Sequence, residues 1–453
     1  MKNKGILSDK EFLKNVGKLF SASAIAQAIP FFILPFLTRI YGPEEFGVWV
    51  YFLSLSGILS IIITGNYEFA IMLPKTKLDA TLVVTSTILL TIGSTLLILF
   101  ITIIFQNQFN SLLNIEQNDK LIFLIPLMAS LFALYRICNI WNNRNNKYGV
   151  TAGANISRSA FTTGSQFYSG YYGSSNYFGL IFGSIIGYSV GILMQMKDIL
   201  IAIKNNISGM KLSSMKALLV KYRKFPQFFL FSELTNYFSS NIPILFLTNL
   251  FNSTVAGLYS IPHKFINVPM AMLGTSVSQV YYRKATLLKD DREQLGKVTF
   301  DIYKKMILLG IIPMSIIAAY GDIIFNFVLG DKWGISGLYA SMLTPWMLLV
   351  FATSPISIVF AVLEKQKESL KLNIVLLIIR LAAFLIGGLI FKSAFWAIAL
   401  FGGTGFIYWL YFSFYVLKIS GSDLHKAKWF IVRSFTFIMI PIILSRVVIE
   451  WII

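Results

Sequence analysis

Apolar stretches of about twenty residues, separated by short polar connections, recur along nearly the whole chain and leave few options for its fold. A hydrocarbon layer about 30 Å thick is crossed by roughly 20 apolar helical residues. Within it each backbone amide must find a partner inside the protein, which favours helices. The stretches fall at 16–37, 46–65, 80–105, 121–141, 150–171, 177–199, 225–250, 255–282, 298–320, 335–363, 370–391, 394–417 and 429–449. They predict an all-α integral membrane protein with thirteen spans. Composition points the same way: 56% of residues are hydrophobic and 13% charged, where a soluble domain carries roughly a quarter.

The formal charge of +19 would suit a nucleic-acid binder if the basic residues shared a polar surface. Here they sit between apolar runs, so nucleic acid is excluded as a partner and the charge reads as topology. Lys and Arg are retained on the cytoplasmic side of a membrane. The N-terminal arm and the even-numbered connections carry 27 of them, seven between Lys197 and Lys224, whereas the odd-numbered connections carry Arg39, Lys120, Lys332 and Lys392. The alternation places the N-terminus inside and, with thirteen spans, the C-terminus outside. The Lys-rich start runs into an apolar stretch too long for a signal-peptide core, so it reads as a retained first span. Cys138 is the one cysteine, and with two histidines there is no zinc-ligand spacing. No catalytic triad, phosphate-binding glycine loop, metal constellation or cofactor motif appears, so an enzyme is not expected.

The connections are short and no soluble domain is inserted. The longest, after the sixth span, divides the chain into an N-terminal six-helix lobe (1–203), a basic linker (204–224), a C-terminal six-helix lobe (225–418) and a last loop with an extra helix (419–453). An internal repeat agrees with that division. Phe36-Leu37-Thr38-Arg39 through Gly47-Val48-Trp49 aligns without gaps to Phe246-Leu247-Thr248-Asn249 through Gly257-Leu258-Tyr259. Both segments join an outward span to an inward one. Parallel repeats imply a pseudo-two-fold axis along the membrane normal and a substrate path around a central cavity.

Polar residues inside spans are costly and are functional candidates by default. Span eight carries Ser260, His263, Lys264, Asn267, Ala271, Gly274, Thr275 and Ser278 at helical spacing, one small, polar face. Span seven repeats the pattern with Ser232, Glu233, Asn236, Ser239 and Ser240. Such residues also serve as ordinary helix contacts in membranes, which suffices for Ser260, Gly274 or Ser278 alone. Lys264 needs a different reason, either a cavity or an ion pair with Glu233. Arg380 lies deepest, near the middle of span eleven. Arg158 lies about two turns into span five, where it either lines water or snorkels, as Arg136 and Arg433 are expected to do. Glu68, Glu364 and Lys304 lie near inward helix ends, where pairing is expected.

Several strings resemble the Wzx-type polysaccharide (O-antigen) flippases of the multidrug/oligosaccharidyl-lipid/polysaccharide exporter superfamily. One is Leu37-Thr38-Arg39-Ile40-Tyr41-Gly42-Pro43-Glu44-Glu45-Phe46-Gly47. Another is Thr64-Gly65-Asn66-Tyr67-Glu68-Phe69-Ala70-Ile71-Met72-Leu73-Pro74. Others run from Phe225-Pro226 through Pro243 to Gly257-Leu258-Tyr259, and from Pro269-Met270-Ala271-Met272-Leu273-Gly274 to Tyr282-Arg283. Asn66 and Lys264 stand where the family more often has Arg, and the last segment exceeds its usual twelve spans.

The resemblance implies spans one, two, seven and eight lining a cationic cavity. It further implies alternating-access transfer of undecaprenyl-diphosphate-linked oligosaccharide across a bacterial plasma membrane. Lys264 and Arg380, with Arg158 behind them, are then the diphosphate contacts. Asn236, Asn267 and Ser260 are the sugar contacts, and Glu233 is the candidate for ion coupling. Membrane lipids and glycan polymerase or assembly proteins are the expected partners. Two other functions compete. A multidrug/cation antiporter of the same superfamily would favour acidic cavity residues, and a membrane glycan polymerase or ligase would carry a large outward loop with catalytic groups.

Overall fold

The computed structural model describes residues 9–112, 121–173 and 176–452, and every element in them is helical. Lys2, Lys4 and Lys120, counted above for sidedness, lie outside the described residues. The main helices are α1 (Asp9–Ile40), α2 (Pro43–Thr64), α3 (Lys77–Ile104), α4 (Leu121–Arg144), α5 (Tyr148–Tyr172) and α6 (Tyr177–Asn206). They continue as α7 (Leu230–Leu250), α8 (Ser253–Leu287), α9 (Arg292–Leu329), α10 (Gly334–Thr353), α11 (Gln366–Leu385) and α12 (Ala394–Ser420). The last, α13, runs from Leu424–Ser434 through a π-helical turn into Ile440–Ile452.

Among the described residues nine helices are long and apolar enough to cross a membrane: α2, α3, α4, α6 and α9 to α13. The chain is therefore a multi-pass membrane protein. The four other expected spans, α1, α5, α7 and α8, form as helices of at least 21 residues; α1 is apolar over Ala24–Ile40, whereas α5, α7 and α8 carry polar stripes that lower their mean hydropathy. In α5, α7 and α8 the lower hydropathy has a physical reason, because these helices place serine, threonine, asparagine and charge where their neighbours place leucine.

Local chemistry sets the helix ends. Pro43 opens α2, with Glu44 and Glu45 in its first turn. The Glu45 carboxylate accepts from the Gly42 amide at 2.9 Å, which suits the positive end of the helix dipole. Thr76, Asn252, Asp291 and Asp423 accept amides of the first turns of α3, α8, α9 and α13. Gly421, at φ 89°, closes α12 in the left-handed region open to glycine. Along α3, Thr87, Thr91 and Thr95 each donate to the carbonyl four residues earlier, so their hydroxyls cost little in an apolar setting.

The chain divides into two compact units. One runs through Tyr41 and then over Val48–Asn241, and the other takes Gly42–Gly47 and Ile242 onward. In the first unit α3 packs on α4, α4 on α6, and α5 on α6. In the second α9 packs on α10, α10 on α12, and α11 on α12. The same three pairings recur six helices later.

The repeat glycines have a steric explanation. A Cβ on Gly47 would lie 1.7 Å from the Ser253 carbonyl oxygen, and one on Gly257 would lie 1.8 Å from that of Pro43. The contact is reciprocal across the offset that relates the two repeat copies. It lets the first turns of α2 and α8 touch through backbone.

Candidate functional site

In the second unit the polar face of α8 meets a cation from α11. Tyr259 is buried and stacks on His263 with ring centroids 5.5 Å apart. The His263 imidazole hydrogen-bonds Asn267 at 2.9 Å, one turn along. Ser260 is buried and donates to the Gly257 carbonyl at 3.0 Å, so its hydroxyl is engaged within its own helix. Arg380 places its guanidinium 5.9 Å from the Trp346 ring of α10 and 5.8 Å from the Phe401 ring of α12. Its field reaches Tyr259 and His263 on α8 and Tyr408 on α12. An arginine on aromatic faces keeps its edges for hydrogen bonds.

The first unit holds its own version. Arg158 of α5 lies 5.4 Å from the ring of Tyr135 on α4 and 4.8 Å from that of Tyr188 on α6. The Tyr135 hydroxyl donates to Asn155 Oδ1. Arg158 Nε makes no hydrogen bond among the described residues. Each unit thus carries a mid-helix arginine on the fifth helix of its set, clasped by aromatic rings from the fourth and sixth. The clasping rings were not anticipated. They are four among many aromatic residues, and nothing in their local spacing distinguishes them.

The remaining sequence candidates are dispersed. Lys264 is exposed on α8, beside the half-buried His263. Asn236 is exposed on α7, its carbonyl accepting from the Ser240 hydroxyl at 2.9 Å. Glu233, also on α7, is half-buried and within electrostatic reach of Glu68. The structure gathers Arg380 with His263 and Asn267, sets Arg158 in a separate clasp, and puts Lys264 and Asn236 on exposed helix faces.

Around Glu68 the Thr64–Pro74 string forms a fold of its own. Gly65 and Asn66 both turn the chain at positive φ (57° and 58°), and Tyr67–Met72 follows as a short helix. Glu68 is fully buried, with Arg136 Nε of α4 at 2.7 Å. Arg136 therefore pairs inward where snorkelling was expected. Burial pushes the Glu68 carboxyl above the usual carboxylate range, against the pull of Arg136. Arg144, at the end of α4, donates to the carbonyls of Ile71, Met72 and Pro74 at 2.5–3.0 Å. Two arginines of one helix thus clasp the α2–α3 connection. No group of His, Cys, Asp and Glu among the described residues could hold a metal ion.

Residues 36–336 match the family described as "Polysaccharide biosynthesis protein". No protein of curated function matches the sequence. Among solved structures the chain is similar to a lipid II flippase, MurJ, in an inward closed conformation. The TM-score is 0.69 at 16% identity, over 96% of this chain and 92% of that one. It also resembles an inward-facing multidrug resistance MATE transporter of the MOP superfamily, at a TM-score of 0.60 and 12% identity, over 90% and 95% of the two chains. A third is the MATE multidrug transporter DinF-BH, at a TM-score of 0.52 and 14% identity, over 91% and 97%. These likenesses establish the fold. The family match covers most of the chain, and the chain belongs to the polysaccharide biosynthesis protein family, on the MOP-superfamily fold that MurJ and the MATE transporters share.

Proposed function

We propose that this protein moves lipid-linked oligosaccharide, as an undecaprenyl-diphosphate conjugate, from the cytoplasmic to the outer leaflet of a bacterial plasma membrane by alternating access through a cationic cavity. In this reading it crosses the membrane thirteen times with its N-terminus inside. The observation that carries the reading is the aromatic-clasped arginine on a membrane helix of each unit, in a family tied to polysaccharide synthesis. A sugar diphosphate cannot enter hydrocarbon unaided, because burying an unpaired charge costs far more than thermal energy. A guanidinium held on aromatic faces offers a diphosphate charge and directed N–H donors together, where an ammonium offers charge alone.

Arg380 and Arg158 take the phosphates, with Lys264 as an outlying cation. Asn267 and Asn236 meet sugar hydroxyls, and Ser260 contributes only after releasing the Gly257 carbonyl. Glu233 is the group to examine for ion coupling. The antiporter reading rests on the MATE-like fold, and basic rather than acidic residues in the apolar helices weigh against it.

The test is complementation of a strain lacking this gene, with surface glycan and membrane protein level measured side by side. Arg380→Ala and Arg158→Ala should abolish display at unchanged protein level, and Arg380→Lys should restore part of it. Full display in both alanine variants would remove the arginines from the reading. Drug efflux without glycan display would replace it with the antiporter.

A further inference from the structure

The connection between α6 and α7 carries Lys204, Lys211, Lys216, Lys221, Arg223 and Lys224, with no acidic residue between Asp198 and Glu233. All six cations are exposed, and none forms an ion pair among the described residues. Their backbone is nevertheless anchored. The short helix Leu212–Lys221 buries Met215 and packs Leu218 and Tyr222 on the apolar cluster of the first unit. The Leu219 carbonyl accepts the Tyr67 hydroxyl at 3.1 Å. Gly209 lies against Leu78 in the first turn of α3, so the segment sits at the level where the helices end.

What the anchoring leaves uncovered is apolar as well as basic. Leu212 is 80% exposed, Phe228 70%, Ile207 68% and Val220 55%. A purely solvated loop would have no use for these side chains, and six like charges held close together repel unless counter-charge is supplied. A membrane surface meets both needs, since phosphate headgroups take the cations and the acyl boundary takes the apolar side chains. Clusters of four to eight cations beside a membrane helix bind anionic lipid, each worth about a fivefold gain in affinity (about 1 kcal/mol).

We propose that residues 204–224 form a binding surface for anionic phospholipid headgroups of the inward leaflet, with Ile207, Leu212 and Val220 at the acyl boundary. The proposal rests on the membrane reading alone and is independent of the cargo.

Cys138 is the one cysteine in the chain, so a Cys138→Ala, Leu212→Cys protein carries a single polarity-sensitive fluorophore. In nanodiscs containing phosphatidylglycerol, emission should shift to the blue and be shielded from an aqueous quencher. In phosphatidylcholine alone it should stay red and quenched. Lys211→Gln, Lys216→Gln, Lys221→Gln and Arg223→Gln together should raise the phosphatidylglycerol needed by at least two orders of magnitude, with Lys204 and Lys224 left in place to hold topology.

Equal emission in the two lipids would overturn the proposal, whether shielded (apolar contact alone) or quenched (a solvated loop). So would inorganic diphosphate producing the same shift in phosphatidylcholine, because the site would then read phosphate rather than lipid. A second measurement needs no label. Phospholipid retained by the purified unmodified protein should be enriched in phosphatidylglycerol, and the four-glutamine protein should lose that enrichment; identical retention in both would also overturn it.

Discussion

Gly47 and Gly257 have a role that any Cβ would destroy. Overlaps of 1.7 Å and 1.8 Å involve backbone carbonyls, which cannot swing aside as a side-chain tip can. Gly47→Ala or Gly257→Ala must therefore separate the first turns of α2 and α8, at a cost of roughly 2–4 kcal/mol, in the range of overpacking and strain. Gly403→Ala in α12 is the control, since no atom stands within 4 Å of its added Cβ and alanine favours a helix by up to about 1 kcal/mol. Thermal unfolding in detergent should show both repeat variants well below wild type and Gly403→Ala at or above it. A different imbalance holds at Glu68 and Arg136. Arg136→Ala leaves a fully buried carboxylate without its partner and should cost about 3–5 kcal/mol, whereas a neutral Glu68→Gln, Arg136→Gln pair should recover much of the loss. A double variant no more stable than Arg136→Ala would mean that the pair is not energetically coupled.

At the level of elements, the last helix is tied to α9 through polar contacts at its far end. Arg446 donates to both Asp322 oxygens, at 2.9 Å and 3.2 Å. It also stands 5.8 Å from the Tyr320 ring, and the Tyr320 and Ser445 hydroxyls share a hydrogen bond at 2.8 Å. Asp322 is 45% exposed, so solvent screens the pair and the coupling is expected near 1 kcal/mol. A double-mutant cycle between Arg446→Ala and Asp322→Ala, read by thermal unfolding, measures it directly, and additive losses would show no coupling. Sequence reading marks the long helices from apolar runs and checks them against the alternation of basic connections. A run rich in leucine and isoleucine reveals α3, and one rich in aromatic residues reveals α12. Polar α5 and α8 are marked by weaker apolar runs of similar length, and the alternation of basic connections agrees with them. The helix Leu212–Lys221 was hidden because ten residues of mixed polarity have no reading apart from the surface they pack on. The arginine clasps were hidden for a related reason. Arg158 meets rings 23 residues before it and 30 after it, and no periodicity within one helix encodes such a meeting.

For the molecule as a whole, the proposed cargo sets an energetic demand that the membrane itself can meet. Moving one elementary charge through 100 mV changes its free energy by about 2.3 kcal/mol, so a diphosphate with about two negative charges gains roughly 4–5 kcal/mol on leaving a negative cytoplasm. At about 1.4 kcal/mol for each factor of ten, that gain supports roughly a thousandfold outward accumulation without a coupling ion. In the proposed function, arginines that contact the diphosphate favour this mode, because they would neutralise the headgroup during passage and need not themselves cross the field. In proteoliposomes loaded with a short-chain lipid diphosphate oligosaccharide, an imposed inside-negative potential should drive outward transfer, and collapsing it with valinomycin and potassium should stop net movement. Glu233→Gln should leave that voltage response intact. Transfer indifferent to potential, driven instead by a proton or sodium gradient and lost in Glu233→Gln, would assign the energy to that carboxylate and end the electrogenic account.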